Sequence, residues 1–299
     1  MLAIIIPYYK STYFEETLAS LAAQTNKNFT LYIGNDASPE DPIAIIEPFL
    51  EYLNISYKRF ENNLGSHSLT KQWERCIELT KSEKWIMILG DDDKLDPEVV
   101  KSFYDNQNVF DKKSNLIRFG SRILFEETKS ASDIYEHPKW EKAEDSFIRR
   151  YRGQTRSSLS EYIFSKEVYL RHLFYNYPLA WHSDDRAWLE FSEKKPIYTI
   201  NEAVVYFRHS ALNITGRKDN MVLKELAAKE FYKYLSQKRS LFSIDLRLLF
   251  ARIYERYLRK EGNISFNDWL ILSKIYITNF EKESFKKFSK RLIKENLKL

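Results

Sequence analysis

The sequence has little cysteine, glycine or proline, and it contains no long hydrophobic run. Its single cysteine, Cys76, excludes a disulfide framework and a cysteine-based zinc site. Only 7 glycines and 8 prolines in 299 residues exclude collagen-like and linker-dominated chains. No apolar stretch approaches the roughly 18 residues of a membrane-spanning helix, and Met1–Pro7 lacks the basic start and long apolar core of a signal peptide. A cytoplasmic location is therefore predicted.

The composition is that of a globular protein with an unevenly distributed charge. Hydrophobic residues make up 43% and charged residues 30% of the chain, which excludes a wholly disordered protein. Residues 216–299 hold 20 Lys and Arg against 10 Asp and Glu, whereas residues 1–215 hold 27 against 32. Because the basic excess belongs to one tail and the larger part is acidic, the charge predicts a basic attachment surface and no nucleic-acid partner.

The first hundred residues alternate between short apolar runs and amphipathic segments. This pattern predicts a doubly wound α/β sheet with the strands Leu2–Ile6, Phe29–Ile33, Ile55–Phe60 and Trp85–Leu89. Ligands bind at the carboxyl ends of the strands in such sheets, and polar or aromatic residues follow each of these four strands. Residues 126–158 are rich in charge and weakly periodic, which predicts a long loop, and the chain after residue 216 is predicted to be helical.

Three adjacent carboxylates, Asp91, Asp92 and Asp93, follow the fourth strand. Such residues repel one another unless a cation lies among them, and oxygen-only ligands suit Mg²⁺ or Mn²⁺. The alternative is a solvated turn that leads into a helix at Asp96. The position directly after an apolar strand favours the cation.

The order of several motifs resembles the inverting glycosyltransferases of family two, which have the GT-A fold. The motifs that carry the resemblance are Ile4–Tyr9, Ser20–Thr25, Asn35–Ser38, Asn63–Gly65 and Gly90–Pro97. The resemblance covers residues 1–100 clearly and 155–215 loosely. It departs from the family at Gly90, where the first aspartate of Asp-x-Asp is usual. The fold expected is a GT-A-like doubly wound mixed sheet with a helical C-terminal extension.

The resemblance implies three regions and a donor site. Residues 1–100 would be the nucleotide-sugar-binding half, residues 101–215 the acceptor-binding half of the same domain, and residues 216–299 a basic helical extension. The donor would be a nucleotide-diphosphate sugar, with uridine diphosphate as the expected nucleotide, and the acceptor a glycan or a lipid-linked molecule. Nucleotide contacts are expected from Pro7, Tyr8, Tyr9, Asp36, Asn62, Asn63, Lys71 and Asp91.

The resemblance also implies the chemistry of transfer. Asp91, Asp92, Asp93 and His209 would hold Mn²⁺ or Mg²⁺, and Arg156, Asp184, Trp181 and Arg208 would contact the diphosphate or the acceptor. Asp185 matches the position of the general base, because an inverting transfer needs one carboxylate opposite the leaving group. A helix that begins at Ser183 or Asp184 is the structural alternative for this acidic pair.

Two further questions stay open on the sequence. Residues 282–299 form a basic amphipathic segment that suits either an anionic membrane surface, at the inner face of the membrane, or packing against neighbouring helices. A nucleotidyltransferase and a non-catalytic nucleotide-sugar-binding module are the rival functions. The lack of glycine after the first strand counts against the former, and Gly90 supports the latter.

Overall fold

The structure is a computed structural model that describes residues 1–211, 213–262, 264–278 and 282–296, and the side chains at these positions except 284 and 291–296. The chain divides into two compact units, Met1–Asn220 and Met221–Leu299. None of the helices in the described residues combines the length and the apolarity that a bilayer crossing requires.

The first unit is built on one mixed sheet in the order β3-β2-β1-β4-β9-β6-β10-β5, with β7 beside β6 and β8 beside β10. The strands in the described residues are β1 (Leu2–Tyr8), β2 (Phe29–Asn35), β3 (Ile55–Arg59), β4 (Trp85–Ile88), β5 (Lys94–Leu95), β6 (Leu116–Phe125), β7 (Ser130–Ala131), β8 (Trp140–Glu141), β9 (Tyr162–Ser165) and β10 (Ile197–His209).

Helices cover this sheet and form the second unit. Those in the described residues are α1 (Phe14–Ala22), α2 (Ile43–Ile46), α3 (Leu69–Ile77), α4 (Val99–Asp105), α5 (Gln107–Phe110), α6 (Ala143–Tyr151), α7 (Lys166–His172), α8 (Ser183–Phe191), α9 (Met221–Gln237), α10 (Ile244–Glu261), α11 (Phe266–Thr278) and α12 (Lys282–Asn296). Short 3-10 turns lie at Glu47–Phe49, Leu159–Glu161 and Pro178–Ala180.

The parallel half of the sheet brings the first strand ends together. β1 pairs in parallel with β2 and with β4, so that Tyr8 lies opposite Asn35 and Ile5 opposite Ile88. Continuous apolar runs form these strands because both faces of the sheet are covered by helices. The predicted α/β sheet of the first hundred residues is confirmed.

In the antiparallel half of the sheet, β10 reaches the edge at which β1 and β4 end. β10 is parallel to β6 and antiparallel to the short strand β5, with Tyr206 opposite Lys94. The register of β10 against β6 shifts between Ile200 and Val204. This arrangement carries the end of β10, at His209, back toward the acidic residues that precede β5.

The prediction of a long loop over residues 126–158 is wrong, because this segment contains β7, β8 and α6. Its periodicity is weak because the elements are short and their buried positions include polar residues. Glu141 of β8 is buried with Arg118 of β6, and their side chains form an ion pair of 2.8 Å. Tertiary contacts of this kind fix structure that an apolar pattern does not show. Directly after this segment, the 3-10 turn Leu159–Glu161 leads into β9 at Tyr162.

The second unit confirms the predicted helical extension. Its core is formed by apolar side chains from α10, α11 and α12, including Tyr254, Leu272, Tyr276 and Phe288. Phe288 lies on the apolar side of the basic helix α12 and is buried. The remaining basic side chains of the 282–299 segment from residue 291 onward lie outside the described residues.

Candidate active site

The carboxyl ends of β1 and β4 are joined by direct hydrogen bonds. The Asp91 Oδ2 atom accepts the backbone N–H groups of Tyr9, at 2.8 Å, and of Lys10, at 2.9 Å. The backbone carbonyl of Asp91 also accepts the Thr17 hydroxyl of α1, at 3.2 Å. The acidic turn and the segment after β1, which the sequence assigned to one crevice, are therefore neighbours.

The three residues that end β1 have different environments. The Tyr8 ring is fully buried against Phe14, and its hydroxyl donates to the backbone carbonyl of Glu40. Burial and the nearby Glu40 carboxylate raise the pKa of Tyr8 to about 12. Tyr9 is exposed and Pro7 is half-buried. Of the two tyrosines predicted to contact the nucleotide, only Tyr9 offers an open ring face, and Tyr8 belongs to the core.

Asp36 organises the turn that follows β3. Its carboxylate accepts the backbone N–H groups of Leu64, at 2.7 Å, and Gly65, at 2.8 Å, and it forms an ion pair with Arg75 of α3. A Cβ atom at Gly65 would lie 2.5 Å from Asp36 Oδ2, so the glycine is what allows this close approach. The Asp36 carboxylate therefore already has three partners within the protein. Sequence reasoning did not identify Arg75.

Arg75 also contacts Asn62, another of the residues predicted for the nucleotide pocket. Its guanidinium donates to the Asn62 side-chain oxygen, at 3.0 Å, and lies 3.9 Å from the centre of the Phe60 ring. Lys71, one turn earlier on α3, is exposed and pairs with Glu74 at 2.6 Å. Asn63 accepts the Ser66 backbone N–H at 2.9 Å. These residues share one edge of the sheet with Asp36.

The acidic turn is held by residues from two distant parts of the chain. The Asp93 Oδ2 atom accepts the Ser160 hydroxyl, and Oδ1 accepts the Arg208 backbone N–H at 2.9 Å. The Ser160 hydroxyl oxygen in turn accepts the Gly90 backbone N–H at 3.2 Å. A Cβ atom at Gly90 would lie 2.9 Å from Asp92 Oδ1 and 3.0 Å from Asp93 Oδ2. Glycine at this position therefore permits two carboxylates to crowd together.

Burial and crowding make the carboxylates of Asp92 and Asp93 harder to ionise. Burial first, and then the charges of Asp93 and Asp91, raise the pKa of Asp92, and burial also raises the pKa of Asp93. A nearby cation would reverse these shifts. Among the residues that the structure describes, however, no three His, Cys, Asp or Glu side chains converge as a ready-made metal site. The residues fit a cation that takes only part of its ligands from the protein, as Mg²⁺ does when it bridges carboxylates and phosphates.

His209 and Arg208 end β10 next to this turn. His209 is half-buried, and its ring packs at 5.9 Å from that of Phe125. The Arg208 guanidinium is buried; it donates to the Asp92 backbone carbonyl at 2.8 Å and pairs with Glu16 and Glu126. Arg208 therefore fixes the backbone of the acidic turn. Its two carboxylate partners, Glu16 and Glu126, were not predicted from the sequence.

Arg156 lies in the same neighbourhood. Its Nη1 atom donates to the Ser121 hydroxyl and to the Glu161 carboxylate, both at 2.8 Å, and its guanidinium lies 4.7 Å from the centre of the Phe207 ring. Its charge opposes the upward pKa shift of Asp93, in which burial dominates. Arg156 is therefore close enough to the acidic turn to act on its ionisation.

The second acidic cluster lies at the start of α8. Helix α8 begins at Ser183, and the preceding His182 has a left-handed backbone with φ of +68°. The Asp185 carboxylate is buried between two partners: Oδ1 pairs with Arg150 of α6, and Oδ2 contacts His182 Nδ1 at 2.7 Å. Burial alone would raise the pKa of Asp185, but Arg150 and His182 hold it below its usual range.

The neighbouring Asp184 behaves in the opposite way. It is half-buried, and burial together with the charge of Asp185 raises its pKa. The Arg150 charge only partly offsets this shift. The acidic pair thus contains one carboxylate that is held ionised and one that binds a proton more readily.

The two tryptophans of this region differ in role. Trp188 is buried and stacks on Tyr162, with ring centroids 4.2 Å apart. Trp181 is half-buried next to His182, with ring centroids 5.9 Å apart. Trp188 is therefore a core residue, and Trp181 is the less buried of the two.

The segment 157–162 connects the two acidic clusters. Ser160 binds Asp93 of the acidic turn, and Tyr162, two residues later, stacks on Trp188 of α8. A small pocket at this point is bordered by Ser157, Tyr162, Asp185 and Arg150. The segment therefore contacts the acidic turn through Ser160 and helix α8 through Tyr162.

Comparisons with known proteins give a family match and several similar structures. The family model Glycosyl transferase family 2 matches residues 3–160, more than half of the chain. No curated protein matches the sequence. Residues 1–349 of S. aureus TarS share 14% identity with a TM-score of 0.60, covering 92% of this chain and 80% of that one.

Two further TarS structures are similar. The complex of S. aureus TarS 1–349 with UDP-GlcNAc shares 15% identity with a TM-score of 0.59, covering 93% and 80% of the two chains. A longer S. aureus TarS structure shares 13% identity with a TM-score of 0.58 and is covered over 48% of its length. At these identities the likeness shows the fold alone. With the family match over residues 3–160, it follows that the chain belongs to glycosyl transferase family 2 and is a glycosyltransferase with the GT-A fold.

Proposed function

We propose that this glycosyltransferase moves a sugar from a uridine-diphosphate donor to a hydroxyl of a glycan or lipid-linked acceptor, with inversion at the anomeric carbon. Family membership sets aside the nucleotidyltransferase and the non-catalytic module as rival functions. The observation that carries the proposal is the contact between Asp91 and the backbone of Tyr9 and Lys10, because it unites the nucleotide segment with the acidic turn.

Residues 1–100 would bind the nucleotide. Tyr9 offers an exposed ring for stacking on the base. The cluster of Asp36, Asn62 and Arg75 provides hydrogen-bonding groups at the same edge of the sheet. The likeness to a TarS complex that contains UDP supports uridine diphosphate as the nucleotide.

Asp92, assisted by Asp93, would hold Mg²⁺ or Mn²⁺, and the donor diphosphate would complete the coordination. The bound cation would stabilise the negative charge of the departing diphosphate. His209 is a further candidate ligand, because β10 carries it to the same edge as the acidic turn. Arg208 would act by fixing the backbone of the turn, since its guanidinium already binds Asp92, Glu16 and Glu126.

Asp185 would take the proton from the acceptor hydroxyl as the oxygen attacks the anomeric carbon and the bond to the diphosphate breaks. Only one carboxylate is required, because inversion needs no covalent intermediate. Asp184, which binds a proton more readily, and Trp181 would face the acceptor or the diphosphate together with residues from 101–215. Arg156 would act near the diphosphate through its charge.

The acceptor and the location of the enzyme are part of the same proposal. A cytoplasmic enzyme of polysaccharide biosynthesis, acting at the inner face of the cell envelope, would meet a lipid-linked acceptor there. The basic helix α12 and the residues after it would then lie near anionic lipid headgroups.

The test is donor binding and turnover by the purified full chain. We expect UDP-GlcNAc or another UDP-sugar, with Mn²⁺ or Mg²⁺, to raise the melting temperature and to release UDP. A ligand at 100 times its Kd stabilises by about 2.7 kcal/mol, which corresponds to roughly 5–10 °C for a unit of this size.

The variant Asp92→Asn should lose the metal-dependent part of this shift. The matched control is Asp105→Asn, which removes an exposed carboxylate of α4 that pairs with Lys101. If the UDP-sugar and the metal raised the melting temperature of Asp92→Asn as much as that of wild type, the proposed metal site would be contradicted. The absence of UDP release across a panel of UDP-sugars would contradict the proposed donor class.

A further inference from the structure

The Asp185 carboxylate is held by two residues from different parts of the chain. Arg150 reaches Asp185 Oδ1 from α6, and His182 reaches Oδ2 from the residue before α8. The Asp185 side chain is only 3% exposed, whereas those of His182 and Arg150 are 13% and 30% exposed. Each of its oxygens therefore has a fixed partner, and the partners are nearer to solvent than the carboxylate itself.

The contacts of Arg150 and His182 with Asp185 are called the clamp below. They leave the Asp185 carboxylate able to accept a further hydrogen bond. The two oxygens of an ionised carboxylate offer about four lone-pair sites, and each of the two partners occupies one. The orientation of the carboxylate plane is fixed by the two contacts, which come from opposite oxygens. An acceptor hydroxyl that approaches the remaining sites would meet a base that has already lost its rotational freedom.

The backbone at His182 supports a specific role for this residue. Its φ of +68° lies in the left-handed region that few non-glycine residues adopt. Leu179 and Ala180, just before it, also have positive φ values of 58° and 53°. Such conformations persist where the surrounding structure enforces them, and they concentrate at functional sites. Here the conformation brings His182 Nδ1 to within 2.7 Å of Asp185.

We propose that Arg150 and His182 are positioning residues for the general base, and that together they fix both the orientation and the ionised state of Asp185. This inference rests on the proposed function, in which Asp185 is the proton acceptor. It assigns a role to α6, which lies in the segment for which the sequence predicted only a loop.

The charges around Asp185 support this assignment. Arg150 faces it from α6, His182 and Asp184 from the start of α8, and Tyr162 of β9 borders the same pocket. Burial acts to raise the pKa of Asp185, and the Arg150 charge and the His182 hydrogen bond outweigh it. Removal of either partner should therefore let the pKa of Asp185 rise.

Four variants separate the contributions. Arg150→Met removes the charge but keeps an unbranched side chain, and its control, Arg152→Met, removes an exposed charge from the end of the same helix. His182→Gly removes the ring and accepts a positive φ. His182→Asn also tolerates that backbone and keeps a short N–H donor.

The first measurement is independent of turnover. The chain has 5 histidines, so ¹⁵N imidazole spectra can isolate the His182 signal by its loss in His182→Asn. We expect that signal to show a protonated Nδ1, and to change in Asp185→Asn and Arg150→Met but not in Arg152→Met. If the ¹⁵N signal of His182 were unchanged in Asp185→Asn, the proposed contact between His182 and Asp185 would be refuted, whatever the activity of the enzyme.

The second measurement is UDP release from the UDP-sugar that wild type turns over fastest. Arg150→Met and His182→Gly should lower kcat by about 10- to 100-fold, within the contribution of a general base, with KM for the donor unchanged. The acid limb of the kcat/KM profile should move to higher pH by roughly one to three units. His182→Asn should recover most of kcat, and Arg152→Met should match wild type.

Two results would overturn the proposal in an enzyme that is active. One is a wild-type kcat and pH profile in both Arg150→Met and His182→Gly. The other is a kcat of His182→Asn as low as that of His182→Gly, which would show that the imidazole ring itself is needed and not only an N–H donor to Asp185. A wild-type enzyme that releases no UDP would instead refute the proposed function, and the imidazole spectra would still decide the clamp.

Discussion

Glu141→Gln tests the buried ion pair that anchors the helix carrying Arg150. Glu141 of β8 accepts from Arg118 at 2.8 Å and from Arg149 of α6 at 2.6 Å, and the Arg118 side chain is 1% exposed. The other partners of Arg118 include the hydroxyls of Ser146, Thr199 and Tyr162. Glutamine keeps the size of the side chain but leaves the Arg118 charge buried without a counter-charge.

The expected cost follows from this burial. Breaking a buried pair by removing one partner costs about 3–5 kcal/mol, a large fraction of the roughly 5–15 kcal/mol by which a domain is stable. Five of the six tryptophans lie in the first unit, so urea denaturation followed by tryptophan fluorescence reports on that unit. We expect the free energy of unfolding at pH 7 to fall by about 3–5 kcal/mol.

The pH dependence supplies a second check. Burial alone would raise the pKa of Glu141, but hydrogen bonds from Arg149 and Arg118 lower it. The contribution of the pair is therefore complete above the unfolded-state pKa of about 4.3 and is lost as the pH falls through the lower folded-state value. The difference between wild type and Glu141→Gln should be constant between pH 7 and about pH 5 and should shrink below about pH 4.

A double variant controls for the loss of shape. Replacing both partners with apolar residues, as Arg118→Met with Glu141→Leu, should cost less than Glu141→Gln alone, because no charge is left buried. If Glu141→Gln were within about 0.5 kcal/mol of wild type at pH 7, as surface substitutions are, the pair would not hold β8 and α6 as the contacts indicate.

Two further predictions concern the nucleotide edge of the sheet. Gly65→Ala places a Cβ atom 2.5 Å from Oδ2 of the Asp36 carboxylate, whose two oxygens together have three protein partners. The variant should cost about 1–3 kcal/mol in urea denaturation, whereas the control Gly120→Ala, whose Cβ would meet its neighbours at 3.6 Å, should cost less. An equal cost for the two would refute the tight turn. Cys76 is fully buried and its pKa is raised to about 12 by burial, so a thiol reagent at pH 8 should label it only after unfolding; rapid labelling of the native protein would be inconsistent with this packing.

Much of the architecture follows from local pattern alone. The apolar runs that form β1, β2 and β4 are continuous, and such runs are typical of strands covered on both faces. Since parallel strands end at the same edge of a sheet, the pattern also places the acidic turn near the end of β1. The contact of Asp91 with the Tyr9 and Lys10 backbone agrees with that expectation.

The internal partners of the predicted residues could not be obtained in this way. Tyr8 and Tyr9 are adjacent and chemically identical, yet one is buried in the core and the other is exposed. Tyr8 is the last residue of β1, whereas Tyr9 follows the end of the strand. The burial of Tyr8 depends on α1, whose Phe14 packs on its ring.

The sequence by itself determined the alternation of strands and helices over the first hundred residues, the acidic turn and the family. Only the tertiary structure decided which charges neutralise one another: Arg75 with Asp36, Arg150 with Asp185, and Arg208 with Glu16, which is 192 residues away. The physical reason is that the spacing of apolar residues along the sequence shows which side of a strand or helix is buried. The hydrophobic effect that buries this side is non-directional, so the spacing does not show which side chains meet there. Ion pairs between buried side chains depend on distance and geometry in the folded chain, and no spacing along the sequence records them.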